Sequence, residues 1–253
     1  MIVWREKFKA FCLHFIVTLA LAAAAAALIF LVWFPDPLQI MLGGWGLFVL
    51  VVGCDLALGP LMSLVVYNSR KARRLLILDY TIVGAVQLAA LGYGIYIMSG
   101  ARPVYIAFAK DQFEVVAAAD IAEKDLRAGK DPFRSLPLTG PKLIGTQNPT
   151  DPHERSELLL ASMEGRDVQF QPRYYVPYEI QVELVKQKAQ PIAQLRARHP
   201  ESTTMVAAVA RKLHVEEQQL GWLNIRTPSM TFWTAVVDMR TGLPIAYLPI
   251  DPA

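Results

Sequence analysis

The chain has 253 residues, 54% of them hydrophobic, and its 25 Lys and Arg outnumber 22 Asp and Glu by only three charges. That length allows one large domain or two small ones, and a charge so near balance names no class of partner. Its two cysteines, Cys12 and Cys54, lie in or beside apolar runs, which excludes a disulfide framework or a Cys-rich metal site elsewhere in the chain.

The apolar excess lies almost wholly in the first hundred residues. From about Ala101 the composition is that of an ordinary soluble domain, so the sequence divides into a membrane part, 1–100, and a globular part, 101–253. Arg5, Lys7 and Lys9 precede a run from Phe11 to Phe34 that carries no formal charge. About 24 such residues span a hydrocarbon core with some tilt. Ala22 to Ala27 invites a signal-peptide reading, but Leu28 to Phe34 extends the run beyond a secretory apolar core, which favours a retained helix ended by Pro35-Asp36-Pro37. Two further spans are expected at about 42–67 and 75–98.

The loop between those spans holds Arg70, Lys71, Arg73 and Arg74 and no acid, whereas the loop at Pro35 to Met41 has one acid and no base. The positive-inside rule then puts the N-terminus and the basic loop in the cytoplasm. Three spans leave the C-terminal domain outside, which in a bacterium is the periplasm. Asp55 and Gln87 come at similar depth in oppositely directed spans and are expected to face each other. Asp79, nearer the basic loop, is expected within reach of a snorkelling Arg73 or Arg74. Gly59-Pro60 sits between them in sequence, and Gly84, Ala85, Ala89, Gly92 and Gly94 offer surfaces for close helix approach. Two intramembrane aspartates also admit an aspartyl-protease reading. Such enzymes resemble one another in a Gly-x-Gly-Asp motif, and Val52-Gly53-Cys54 before Asp55 puts the glycines out of register.

Pro103 to Ala109 and Phe113 to Ala117 read as a hairpin about Lys110-Asp111-Gln112. Asp120 is expected to cap a short helix ending at Gly129, and Asp131 to Thr150, with four prolines, reads as a long loop. Asp151-Pro152-His153-Glu154 starts a helix that runs to about Glu164 and stops at Gly165. Arg173 to Tyr178 is an aromatic connector. Glu179 to Arg198 is amphipathic through Ile180, Leu184, Ile192 and Leu195 and is divided by Pro191. A helix follows at Thr203 to Leu213, then strands at Trp222 to Ile225, Met230 to Asp238 and Pro244 to Ile250. A helix-turn-helix over Ala208 to Leu220 would need a basic reading helix, and Glu216 and Glu217 stand there instead, so no nucleic-acid partner is expected. The fold class is therefore three transmembrane α-helices followed by a mixed α+β periplasmic domain. None of the four histidines has a metal-ligand partner at helical spacing, and no nucleophile elbow, phosphate loop or dinucleotide fingerprint occurs. No cofactor and no metal is expected.

Trp33-Phe34-Pro35-Asp36-Pro37-Leu38, Gly43-Gly44, Asp55-Leu56-Ala57-Leu58-Gly59-Pro60-Leu61, Asp79, Gln87 to Gly94 and Arg102-Pro103-Val104 together resemble the type IV pilin accessory proteins of the TfpX/TfpZ kind. The likeness is specific over about the first 120 residues. It is looser beyond, in Leu220-Gly221-Trp222-Leu223, Val237-Asp238, Thr241-Gly242 and Pro249-Ile250-Asp251-Pro252, and Met62-Ser63 departs from the family's usual Leu-Thr. The resemblance implies an inner-membrane protein that helps a pilin reach the assembled pilus, with no established catalytic residue. Its implied partners are lipid and a pilin, whose apolar helix waits in the membrane beneath an exported head. On that reading Asp55, Gly59, Pro60, Asp79 and Gln87 hold the helices together. The rival is a membrane enzyme acting through Asp55 and Asp79 on pilin or another envelope substrate.

Overall fold

The computed structural model describes residues 2–66 and 71–252, without the side chains of nine residues in 2–64, Cys54 and Asp55 among them. The chain forms two units, Met1–Gly100 and Ala101–Ala253.

The first unit is helical. Helix α1, Ile2–Ala27, continues through a wider π-helical turn, Leu28–Trp33, that closes with the Phe34 N–H donating to Ile29 O at 2.8 Å. It starts within the charged N-terminus rather than at Phe11, because helix formation needs only the backbone whereas the apolar run marks the part suited to lipid. A short turn of helix, α2 (Leu38–Met41), leads to Gly43, whose φ of +65° suits a residue without a Cβ. Helix α3 covers Gly44–Val66 and α4 covers Arg73–Ala101. Among the described residues, Trp4–Trp33 and Arg73–Ala101 are long and apolar enough to cross a membrane. The third apolar run is the 23-residue α3.

One stripe of α1 and of the turn that continues it is buried: Thr18, Ala22, Ala25 and Ile29, spaced three or four residues apart as one helix face requires. It packs on α3, which runs back antiparallel. Phe30 stacks on Trp45 at 4.3 Å and meets Phe48 edge-on at 5.0 Å, while His14, four residues before Thr18, meets Ser63 at the other end. Along α4 only Met98 is buried, against Ile29, Phe30 and Phe34.

The second unit is a single mixed sheet of order β4-β3-β1-β2-β6-β7-β8 with helices packed against it. Strands β1 (Pro103–Ala109) and β2 (Gln112–Ala117) form the expected hairpin, though Gln112 already pairs with Ala109 and the turn is Lys110-Asp111, with Lys110 at φ 63°. All seven residues of β1 are buried, as befits a strand paired on both sides. Strand β3 (Lys142–Thr146) runs parallel to β1, so the long loop expected at Asp131 to Thr150 contains a strand. Its signal is weak because Pro141 precedes it and Gly145 interrupts it. That glycine is needed, since a Cβ there would collide with the Gln181 side chain. Strand β4 (Tyr175–Pro177) comes from the aromatic connector, whose Tyr174, Tyr175 and Tyr178 are all buried.

Helix α5 spans Glu123–Arg127, and Asp120 does not cap it: its Oδ2 accepts from the Ala117 N–H at 2.8 Å and closes the end of β2 instead. Helix α6, Pro152–Met163, begins as expected, with Asp151 Oδ1 accepting from the N–H groups of His153 and Glu154 at 2.9 and 3.0 Å. Pro191 divides the next segment into α7 (Val182–Lys188), a two-residue β5 (Gln190–Pro191) and α8 (Ile192–Arg198). Ile192 and Leu195 are buried, but Ile180 is exposed and Val185 takes the place expected for Leu184. On one continuous helix 180 and 184 would share a face, but 178–181 is a separate tight turn. Helix α9, Ser202–Leu213, is followed by a single turn at Glu217–Gln219, not by a second recognition helix.

Strands β6 (Leu220–Arg226), β7 (Phe232–Asp238) and β8 (Leu243–Leu248) form an antiparallel meander, and α8 and α9 cover it through Leu195, Val206, Leu220, Trp222 and Val236. The meander joins the first hairpin by a short parallel seam, Phe113 opposite Ile225 and Glu114 opposite Arg226. Arg226 Nε donates to Glu114 Oε2 at 2.8 Å, and Gln112 Nε2 donates to Glu114 Oε1 at 2.6 Å. Burial pushes the Glu114 carboxyl above its usual range, and those two hydrogen bonds oppose the push.

Removing the guanidinium leaves the buried carboxylate with the Gln112 amide as a donor but without its cation. Arg226→Met is expected to destabilise the domain by about 3 kcal/mol at pH 8. The deficit shrinks as pH falls toward 5, because a raised carboxyl pKa makes the folded state bind more protons than the unfolded one. Thermal unfolding of the full chain in detergent at the two pH values reads both effects, and a pH-independent deficit contradicts the assignment.

Candidate functional site

The polar groups that the helical unit brings together differ from those its sequence emphasised. His14 of α1 lies against Ser63 of α3 and Gln87 of α4. His14 Nδ1 is hydrogen-bonded to Ser63 Oγ, and His14 Nε2 lies 2.7 Å from Gln87 Oε1. A carbonyl oxygen only accepts, so Nε2 carries a proton. In the neutral tautomer that carries its proton on Nε2, Nδ1 accepts from the serine hydroxyl, so both bonds can be made without a charge among apolar side chains. Thr18 Oγ1, one turn on, donates to the His14 carbonyl at 3.0 Å, and Tyr80 of α4 sets its ring 6.2 Å from the imidazole.

Gln87 is held from beneath by Gly59: any Cβ on that residue would occupy the position of the Gln87 amide. Pro60 is buried inside α3 beside it. The expected Asp55–Gln87 pairing falls on a side chain outside the described residues, and so does Arg70. Asp79 is engaged, but by Lys71 at 2.7 Å rather than by Arg73 or Arg74. On a helix with 3.6 residues per turn, positions five and six before Asp79 point roughly 140° and 120° away from it. Lys71, before the helix begins, is free of that constraint and folds back. Arg73 and Arg74 are exposed at the first turn of α4.

The three helices leave a cleft floored by His14. Its inner part, about 160 Å³, is lined by Val17, Thr18 and Ala22 of α1, Val52 of α3, and Gly84 and Leu88 of α4. A wider part, about 420 Å³, opens between Leu13 and Val17 on one side and Tyr80 and Gly84 on the other. The lining is aliphatic apart from the His14 cluster. No group of three or more metal-binding side chains occurs among the described residues. The arrangement has hydrogen-bonding capacity at one depth and apolar walls elsewhere, the chemistry of helix recognition. His14 and Ser63 were not singled out by sequence reasoning. The available signal was that His14 is an ionisable group within a run of otherwise uncharged residues, where such a group needs hydrogen-bond partners.

Two curated relatives decide what kind of protein carries this cleft. The chain is 30% identical over 238 residues to the fimbrial assembly protein of serogroup I from Dichelobacter nodosus, covering 92% of this chain and 91% of that one. The chain belongs to the fimbrial assembly protein family. A second member of it, the serogroup E1 protein from the same organism, is 30% identical over 237 residues, 88% of this chain and 92% of its own length. The protein of serogroups C1 and C2 is 37% identical over 114 residues, 45% of this chain and 87% of that one. A family model described as fimbrial assembly protein FimB matches residues 2–43, which include His14 and Thr18. No solved structure matches. Membership in a fimbrial assembly family bears out the resemblance to type IV pilin accessory proteins.

If Gly59 seats Gln87, Gly59→Ala displaces the amide and breaks its bond to His14. The expected cost is about 1 kcal/mol, the scale of one polar contact between helices in lipid. It is read as a lowered unfolding midpoint of the detergent-solubilised chain, and Gln87→Leu in the G59A background adds little, because the Gln87–His14 bond is already broken there. A further full-sized loss on adding Gln87→Leu contradicts a shared interaction.

Proposed function

We propose that this protein is an inner-membrane accessory factor that holds a type IV pilin before it enters the pilus. The observation that carries this reading is the full-length likeness to two fimbrial assembly proteins. In the proposed arrangement α1, α3 and α4 all span the membrane. The basic segment from Arg70 to Arg74 and the N-terminus stay in the cytoplasm, and the C-terminal domain is periplasmic. The cleft floored by His14 receives the apolar helix of the pilin, with Gly84 allowing close approach, while the C-terminal domain contacts the pilin head.

The role is one of binding, without catalysis. A proton-transfer enzyme working through Asp55 and Asp79 would need a free carboxylate at a reacting centre, and Asp79 is in an ion pair with Lys71. Asp55, Gly59, Pro60 and Gln87 serve the packing of α3 on its neighbours in this proposal. An amide can still hydrogen-bond where a carboxylate did, so Asp55→Asn retains function under the packing role and abolishes it under an acid–base role.

The test is piliation in a clean deletion strain, with total pilin measured in the same cells. The accessory role predicts loss of surface pili by tenfold or more, with pilin still synthesised or degraded in the membrane, and restoration by the D55N form. Normal piliation in the deletion strain contradicts it, and loss of complementation by a stably expressed D55N form favours the enzyme.

A further inference from the structure

The segment between α5 and β3 has a tip that the proposed function leaves unused. Seven uncharged residues, Ser135-Leu136-Pro137-Leu138-Thr139-Gly140-Pro141, stand between Arg134 and Lys142. Pro137 is buried, and Leu136 packs on the core that holds Tyr105, Ile144 and Tyr175, so the loop is fixed on the domain where it starts. Leu138, the next residue, is 80% exposed. A single exposed leucine is ordinary on a protein surface, and only its place in the fold can give it a role.

That place is the root of the C-terminal unit. Arg102 follows Ala101, the last residue of α4, and its Nη2 donates to Pro137 O at 3.3 Å. The Tyr105 hydroxyl donates to Ser135 O, also at 3.3 Å. The loop is therefore held within one arginine side chain of the end of an apolar helix. The opposite end of β1 is as clearly marked. Lys110, in the β1–β2 turn, pairs with Asp167 at 2.7 Å, and Ser162 near the end of α6 donates to the same carboxylate at 3.0 Å. Met163, beside Ser162, is 85% exposed. The seven-residue β1 sets those two ends about 20 Å apart.

We propose that the tip at Leu138 enters the lipid surface next to the domain's point of attachment and so orients the C-terminal domain on the bilayer. The inference rests on the proposal that α4 spans the membrane. A side chain held beside the end of a span lies at the level of the headgroups. There an aliphatic group gains by entering the acyl boundary, while flanking cations stay among the phosphates. Over 130–142 the exposed Lys130, Arg134 and Lys142 stand against Asp131 alone. The run between Arg134 and Lys142 carries no charge that entry into lipid would strip of water. One leucine among prolines is small for a protein interface. It suffices for a lipid contact here, because α4 already tethers the domain and the contact has only to orient it.

The test reconstitutes the full chain in vesicles of phosphatidylcholine and phosphatidylglycerol whose acyl chains are brominated near the headgroup. A fluorescent amino acid excited outside the tryptophan range is placed, one position at a time, at Thr139, at Met163 and at the exposed Val86 of α4. The expected result is quenching at 139 at least twofold stronger than at 163, and reduced at least twofold by Leu138→Glu. Leu138 is exposed, so that variant leaves the fold in place. Strong quenching at 86 reports the span itself. If 86 is quenched while 139 is quenched no more than 163, or if Leu138→Glu leaves 139 unchanged, the lipid contact is overturned and the span stands. An unquenched 86 overturns the span, and the lipid contact with it.

Discussion

An imidazole hydrogen-bonded at both nitrogens among apolar helices is the constraint on which the membrane-type unit depends. His14 has two ring nitrogens, and each needs a partner where water is scarce. Ser63 and Gln87 supply them from two different helices, so one side chain sets the relation of α1 to both α3 and α4. Gly59 is part of the same device, since Gln87 reaches His14 only over a residue with no side chain. Between lipid-like surfaces apolar packing alone gives little preference for one helix register. A polar triad at one depth does give that preference. It also leaves α4 apart from α1 over much of its length, and the cleft is the consequence.

The C-terminal domain solves a different problem. Its hairpin β1–β2 and its meander β6–β8 are separated by about a hundred residues of helices and turns, yet they share one sheet through a seam two residues long. Glu114 and Arg226 lie directly opposite each other there, so specific ionic pairing stands where a longer ladder would otherwise fix the register. Each half keeps its own core: β1, β3 and the Tyr175 connector in one, and α8 and α9 against the meander in the other.

Much of this was legible in the sequence because it follows from local rules. The apolar runs are helices, the Asp151-Pro152 cap begins α6, Pro191 divides its segment, and the strands at both ends of the domain lie within a residue or two of their expected places. What sequence reasoning missed depends on distant partners. Strand β3 is held by parallel pairing with β1 and by a glycine that admits Gln181, neither of which leaves a local period. Asp120 has the right spacing for a cap, but the end of β2 takes its carboxylate first. The site shows the same division. Gln87 and Gly59 were legible as polar and small residues inside apolar runs. His14 was passed over because its partners lie 49 and 73 residues away, and Lys71 was passed over because Arg73 and Arg74 are nearer to Asp79 in sequence though not on the helix surface.

In the proposed function, the pilin helix rests in the cleft beside His14. Site-specific photocrosslinking from Val17, on the cleft wall, tests it most directly, with Ile82 on the exposed surface of α4 as the comparison position. The account predicts that a photoreactive residue at 17 captures pilin in intact cells and that one at 82 captures far less. Equal capture from both positions, or none from Val17 in cells that still assemble pili, would contradict it.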